Sequence, residues 1–209
     1  MAEKGSCVYS LARNRRSIRE YSRDPISISD VLYAVSAALE APSGANKQPW
    51  RFIIIVDSET KKELRRVCEE WERRFHQGRG LPKWFREWLR ERGITWEKRF
   101  LTDAPVLLAV AANKKAPYAR ESTWLAIGYL LLALEERGLA SLTYTPANPR
   151  AAARVLGIPD DYTLEALIPV GKPRGVKEKE PRLGLAETVY LNKWGSPLPG
   201  REPGTTKAT

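Results

Sequence analysis

Between Arg120 and Arg137 the chain carries a helical period whose apolar residues, Trp124, Leu125, Ile127, Leu130, Leu131 and Leu134, leave little polar face, and Gly138 stands in the C′ position that closes it. A helix apolar on most sides must be buried on most sides, so it is either the centre of the fold or part of a subunit interface. Four short aliphatic runs supply candidate cover: Arg51–Asp57, Ala104–Ala111, Ala140–Thr145 and Thr163–Gly171. Each is too short for a helix and bounded by turn residues, and so reads as a strand. Strands separated by helices predict an α+β chain, a three-layer α-β-α sandwich around a mainly antiparallel sheet, and not an uninterrupted βαβ array.

The remaining helices follow from caps and stops. Ser6 to about Arg13 forms a short one. Ser27-Ile28-Ser29-Asp30 opens the next, with Ser29 as N-cap, Val31, Leu32, Val35 and Leu39 on the buried face, and Pro42 as the stop. Ser58-Glu59-Thr60 begins a long charged helix to about Phe75, broken by Gly78 and Gly80. Two shorter helices carry Trp84, Phe85 and Trp88, then Trp96 and Phe100. Asn148 caps and Pro149 starts a helix that ends at Gly157. The tail is rich in Pro, Gly and Lys except at Glu187–Leu191, expected to be an edge strand whose simplest host is a second subunit.

A length of 209 residues allows one well-buried core. The expected division is one domain over 1–192 and a tail over 193–209 that is partly disordered or wraps a partner. No apolar run approaches the roughly 20 residues of a membrane span, and the polar N-terminus has no signal-peptide core, so a cytoplasmic location is expected. Cys7 and Cys68 make neither a disulfide framework nor, with the single His76, a metal cluster, and both are expected to pack. The net charge of +10 favours anionic partners, nucleic acid among them, although acidic residues are interleaved with the basic ones. Four of the seven tryptophans lie between Trp71 and Trp96 among arginines and lysines. That segment is a cover for something flat, a set of amphipathic helices packed on the core, or a single-stranded nucleic-acid surface.

Two stretches carry the chemistry. Arg15-Arg16-Ser17-Ile18-Arg19 alternates cations with a hydroxyl, and guanidinium forks converging on one small anion suit a phosphate. Pro42-Ser43-Gly44-Ala45-Asn46-Lys47-Gln48-Pro49-Trp50 adds a turn of small residues that lets backbone N–H groups approach a ligand. Its Asn46 and Gln48 amides can read the edge of a flat heterocycle. Phosphate plus polar ring points to a nucleotide-like cofactor. No G-x-G-x-x-G follows any strand, so a nicotinamide held in the Rossmann manner has no support.

In this order and at this separation the two stretches resemble the nitroreductase family of FMN-dependent flavoproteins, including its iodotyrosine deiodinase-like branch. The similarity runs from Leu11 to about Leu191. It implies that Arg15, Arg16, Ser17 and Arg19 bind the FMN phosphate and ribityl, that Pro42, Ser43 and Gly44 lie along the isoalloxazine with Asn46 and Gln48 at its pyrimidine end, and that Arg182 returns to the phosphate. Thr143, Tyr144 and Thr145 line the flavin, with Thr145 contacting N5. Trp96-Glu97-Lys98 resembles the lid of the deiodinase-like branch, which makes Lys98 and Trp96 substrate residues for a small aromatic. That branch also has a glutamate with a tyrosine four positions later. Here Glu69, Glu70 and Glu72 are followed at that spacing by Arg73, Arg74 and His76. The implied protein is a homodimer with FMN at the subunit interface, passing electrons from NAD(P)H to nitroaromatics, quinones or flavins. A deiodinase-like reductive dehalogenase is the alternative, and a basic nucleic-acid-binding module the alternative of another class.

Overall fold

The computed structural model describes residues 7–78, 81–175 and 177–200, and the chain divides into two compact units, Met1–Lys177 and Glu178–Thr209. The first is built on four antiparallel strands, β1 (Trp50–Ile55), β2 (Val106–Asn113), β3 (Ala140–Ser141) and β4 (Tyr162–Gly171), in the order β1-β2-β4-β3. Seven helices accompany them: α1 (Cys7–Asn14), α2 (Ile28–Leu39), α3 (Ser58–Gln77), α4 (Lys83–Glu91), α5 (Phe100–Asp103), α6 (Ala119–Glu136) and α7 (Pro149–Val155).

Successive strand residues point to opposite faces, and both faces are covered. Val106, Leu108 and Val110 of β2 with Ala166, Ile168 and Val170 of β4 pack against α2 and α6. Leu107, Ala109, Leu164 and Leu167 face the other way, onto Leu64 and Cys68 of α3, Phe100 and Leu101 of α5 and Ala152 of α7. This double cover explains why the strand sequences read as continuous apolar runs although the sheet is antiparallel. The predicted three-layer sandwich is therefore what forms.

Helix α6 buries Ser122, Thr123, Ala126, Ile127, Leu130, Ala133 and Leu134, yet Leu125 and Tyr129 remain 49% and 44% exposed. It is central on one side only. Helix α2 packs on α6, and its buried residues are Val31, Ala34 and Ala38. The expected Leu32 and Leu39 are exposed instead, because close approach of two helices selects the stripe of small side chains. Its N-cap is Ser27, whose hydroxyl accepts from Ser29 N at 3.2 Å, and not Ser29.

Other expectations are corrected locally. Of Ala140–Thr145, only Ala140–Ser141 pairs as a strand, and Tyr144 makes a single bridge to Leu167. Trp96 precedes α5 and belongs to no helix. Cys7 is exposed and does not pack, whereas Cys68 is buried. In the second unit Glu187–Leu191 is not a strand. Glu187 Oε2 accepts from Gly184 N at 2.7 Å, starting the short helix α8 (Leu185–Thr188), and Tyr190 then bridges Pro197. Ser6, Gly80 and residues 201–209 lie outside the described residues.

The end of β4 anchors the N-terminal segment. Tyr21 is buried, and its hydroxyl donates to Ile18 O at 2.8 Å and Pro169 O at 3.2 Å. Gly171 makes room for this: a Cβ there would sit 2.7 Å from Pro105 Cδ and 3.0 Å from Tyr21 Cδ1.

Candidate functional site

Residues 15–19 leave α1 and run alongside β3. Ser17 bridges Ser141 in parallel, and Ile18 N donates to Ser141 O at 3.2 Å. Within that frame the Arg15 guanidinium donates to Ser17 Oγ at 3.1 Å and to Ser141 O at 3.4 Å. One cation and one hydroxyl are thus already oriented together, which is how a phosphate cradle avoids an ordering cost. Arg19 is exposed, and its charge bears on Tyr21 and on Lys98. Arg16 does different work: Nη1 donates to Arg13 O and Asn14 O, each at 2.6 Å, and Nε to Lys177 O at 3.2 Å. Its guanidinium is engaged in ending α1.

The segment after β3 continues the same edge. Tyr144 exchanges backbone hydrogen bonds with Leu167, at 3.0 and 2.8 Å. Its phenol is buried, while the next residue, Thr145, is exposed. Thr143 is half-buried. A hydroxyl is therefore offered outward at 145 from a backbone whose neighbour is clamped.

Beneath it lies a polar cluster inside an otherwise apolar layer. Tyr144 OH donates to Glu72 Oε1 at 2.8 Å. Lys98 Nζ stands 3.3 Å from Glu72 Oε2, and both residues are buried. His76, one turn along α3, places Nε2 3.7 Å from that same oxygen. Lys98 also donates from Nζ to Thr95 O at 2.6 Å and from its backbone N to Glu69 Oε1 at 2.8 Å. Burial holds Lys98 below the usual ammonium value against the pull of Glu72. Burial, then the Lys98 charge, likewise lowers His76, which Glu72 opposes. Cys68 is pushed up to about 12, chiefly by burial, and burial also raises Tyr144. The resemblance supplied Lys98, but none of Glu69, Glu70 and Glu72 carries the tyrosine four positions later that would have marked a partner glutamate. The structure selects Glu72 and brings in His76, both missed as site residues, because their shared face with Lys98 depends on the long connection between α3 and α5.

The 42–48 turn is held elsewhere, against the start of α6. Gly44 N donates to Ser122 Oγ at 3.2 Å, and Gln48 N to Ser43 Oγ at 3.0 Å. Gly44 has no space for a Cβ, which would meet Tyr118 Cδ2 at 2.8 Å. Ala45, Asn46 and Gln48 take φ of 48°, 50° and 46°, a left-handed run that non-glycine residues adopt at a cost of about 1–3 kcal/mol each. Such strain concentrates where a backbone must present its N–H groups in a set direction. Pro42 is exposed, and the Asn46 and Gln48 amides bond each other at 3.2 Å, so they face solvent as a pair.

Of the other expected residues, Trp96 is half-buried under Arg73, whose guanidinium carbon lies 4.1 Å from the ring centroid. Phe85 stacks on Trp88 at 5.7 Å on α4, with Trp84 67% exposed beside them. Arg182 is in the second unit, where Nη1 donates to Glu180 O and Pro181 O.

Comparison with known proteins gives the family and the fold. The family model described as Nitroreductase family matches residues 12–172. An iodotyrosine deiodinase of Thermotoga neapolitana is 47% identical over 176 residues, 84% of this chain and 93% of that protein. One of Haliscomenobacter hydrossis is 33% identical over 183 residues, 83% of this chain and 82% of the other. Among solved structures, an oxidized iodotyrosine deiodinase bound to FMN and 3-iodo-L-tyrosine superimposes with a TM-score of 0.85 at 44% identity. That match covers 90% of this chain and 100% of the other.

Proposed function

Since the chain belongs to the nitroreductase family, we propose that it is an FMN-dependent reductive dehalogenase of halogenated phenols that carry an amino-acid backbone. The observation that carries this reading is the buried Glu72–Lys98 pair at 3.3 Å, next to the Tyr144–Thr145 segment. A carboxylate and an ammonium placed side by side match the ammonium and carboxylate of an amino acid, exchanging one ion pair for two. Nitroaromatics, quinones and free flavins have no such groups, so NAD(P)H-linked reduction of those acceptors, first in the sequence reading, becomes the second reading. The identities to deiodinases support the same order.

The residues present fit FMN. Arg15 and Ser17, preset by Ser141, with exposed Arg19 suit its phosphate, and the outward Thr145 hydroxyl suits N5. Arg16, occupied at the end of α1, is proposed as support for this cradle, and Arg182 as a later phosphate contact. Bound FMN would supply the redox chemistry, two electrons that with one proton exchange a carbon–halogen bond for C–H and release halide. Thr143 and Tyr144 hold the strand edge on which Thr145 stands. Lys98 would take the substrate carboxylate, and Trp96 with the α4 aromatics would exclude water. NAD(P)H is the proposed electron donor, docking without a dedicated fold.

The strained 42–48 turn and the arginine cluster are held by different elements, α6 and β3. A second copy would bring Pro42, Ser43, Gly44, Asn46 and Gln48 of one protomer to the FMN of the other. The exposed Leu32, Leu39, Leu125 and Tyr129 on α2 and α6 offer an apolar interface for it. A membrane role has no support, since among the described residues no helix is long and apolar enough to cross one.

The test is direct. Purified protein should show the absorption of oxidised flavin and, under anaerobic dithionite, release halide from 3-iodo-L-tyrosine. Reduction of menadione by NADH without halide release or 3-iodo-L-tyrosine binding would favour the second reading. A colourless protein that shifts single-stranded DNA would sink both.

A further inference from the structure

Building on the dehalogenase reading, we propose that His76 is a specificity-determining residue whose proton competes with the substrate ammonium for Glu72, and that Tyr144 positions that carboxylate. An ionised carboxylate has about four lone-pair sites. On Glu72, Oε1 takes the Tyr144 hydroxyl at 2.8 Å. Oε2 faces Lys98 Nζ at 3.3 Å and His76 Nε2 at 3.7 Å. Oε2 thus keeps, beside Lys98, a direction that the imidazole borders and that an incoming ammonium would share with it.

With His76 neutral, Glu72 and Lys98 balance. A zwitterionic ligand preserves that balance, giving its ammonium to Glu72 and its carboxylate to Lys98. An imidazolium does not, because it adds a cation beside Lys98 and takes the lone pair the ligand needs. The charged and titratable groups around the ring come from every packed element. Glu72 on α3 and Lys98 from the approach to α5 act on the ring directly, and Glu69 and Cys68 on α3, Tyr144 from the segment after β3, and Arg19 act on that pair. Glu69 is paired with Arg65 at 2.7 Å, which leaves Glu72 as the acid that answers to His76.

Burial, then the Lys98 charge, lowers the His76 pKa from its ordinary value and so favours the neutral ring. Binding of an ammonium ligand disfavours its protonation further, so binding releases a proton wherever free His76 is protonated. By linkage, affinity for such a ligand falls by up to about tenfold per pH unit below the His76 pKa. A ligand without an ammonium group has no such dependence. Tyr144 matters differently. Without its hydroxyl, Glu72 loses the bond that ties it to the strand bearing Thr145, and the loss is independent of pH.

The experiment uses oxidised, FMN-loaded protein and quenching of flavin fluorescence from pH 5 to 8. Its ligands are 3-iodo-L-tyrosine and 2-iodophenol, which keeps the ring and halogen but lacks both backbone charges. The wild type is expected to lose 3-iodo-L-tyrosine affinity steeply once pH falls below the His76 pKa, which burial holds under the ordinary imidazole value. His76→Asn should stay flat to within about twofold relative to its 2-iodophenol profile, and Tyr144→Phe should keep the wild-type pH profile at about tenfold weaker 3-iodo-L-tyrosine binding. The same pH profile in wild type and His76→Asn overturns the role of His76. Equal weakening of both ligands by Tyr144→Phe shows a merely structural phenol and overturns its positioning role. Failure of both ligands to quench the wild type at any pH overturns the dehalogenase reading itself, and this inference with it.

Discussion

Replacing Lys98 by methionine removes one half of a buried ion pair and leaves the other. Deleting one partner of such a pair costs about 3–5 kcal/mol, because the remaining charge has been taken out of water. Here the stranded Glu72 keeps the Tyr144 hydroxyl at 2.8 Å, and a hydrogen bond to a charged acceptor contributes about 1.5–3 kcal/mol. The loss for Lys98→Met is therefore placed at the low end, about 3 kcal/mol. Glu72→Leu strands Lys98 instead, with Thr95 O at 2.6 Å as its remaining acceptor, and leaves the buried phenol without its carboxylate, for a similar loss of about 3 kcal/mol. In the double variant no charge is stranded and the remaining cost is the orphaned phenol, about 1–3 kcal/mol. The cycle should thus show a coupling of at least about 2 kcal/mol in favour of the double variant. Urea unfolding measures it, at one fixed protein concentration because the stability of the proposed dimer would depend on concentration. Single losses that add to within about 0.5 kcal/mol would mean that Lys98 and Glu72 do not share a dry environment, and the ion pair could then no longer carry the substrate assignment.

Three further outcomes are expected. Arg15→Ala with Arg19→Ala should give a folded protein whose FMN affinity, measured by ultrafiltration, is at least about a hundredfold weaker, each charge-assisted contact contributing about 1.5–3 kcal/mol; full flavin retention at micromolar concentration would refute the phosphate assignment. Leu125→Glu places a charge on the exposed face of α6 and should shift sedimentation towards monomer while releasing FMN, whereas an unchanged, flavin-loaded dimer would move the interface elsewhere. At pH 8 a small alkylating reagent should label the native chain once, at exposed Cys7, since Cys68 is buried and pushed up to about 12. Its folded value lies above the ordinary thiol value, so the neutral thiol favours folding at pH 8 and that contribution is lost only as pH rises from about 9 towards 12.

The strands β1, β2 and β4 were legible because their apolar runs are long and sharply bounded, and α7 because Asn148, Pro149 and Gly157 mark both ends. The buried stripe of α2 was misjudged where hydrophobicity and burial part company: Ala34 and Ala38 go inward for their size, and Leu32 and Leu39 stay outside. At 187–191 a β-branched, aromatic pattern was outweighed by the side chain of Glu187 satisfying a backbone donor at a helix start. For the candidate site, Arg15 and Ser17 stand out by their local spacing, and Lys98 by the resemblance of its segment to the deiodinase-like lid. Glu72 does not, since three glutamates on one helix look alike until the chain from α4 to α5 fixes which faces Lys98. The hydrogen bond between the Asn46 and Gln48 amides was also hidden, because it depends on the backbone of the turn that joins them.

Tyr144 and Thr145 are consecutive residues on backbone clamped at Leu167, one phenol going inward and one hydroxyl outward. Side chains on extended backbone alternate, so the two faces of this short run are separated by parity alone. An insertion or deletion of one residue between Ser141 and Pro146 would exchange them, aiming a small hydroxyl at Glu72 and a bulky phenol outward. A change of length in the segment should therefore cost more than a substitution at position 144 or 145 alone, because it displaces both side chains at once. In a library of this protein, variants that alter recognition of the amino-acid backbone and variants that alter the flavin should sort onto even and odd positions of the same five residues.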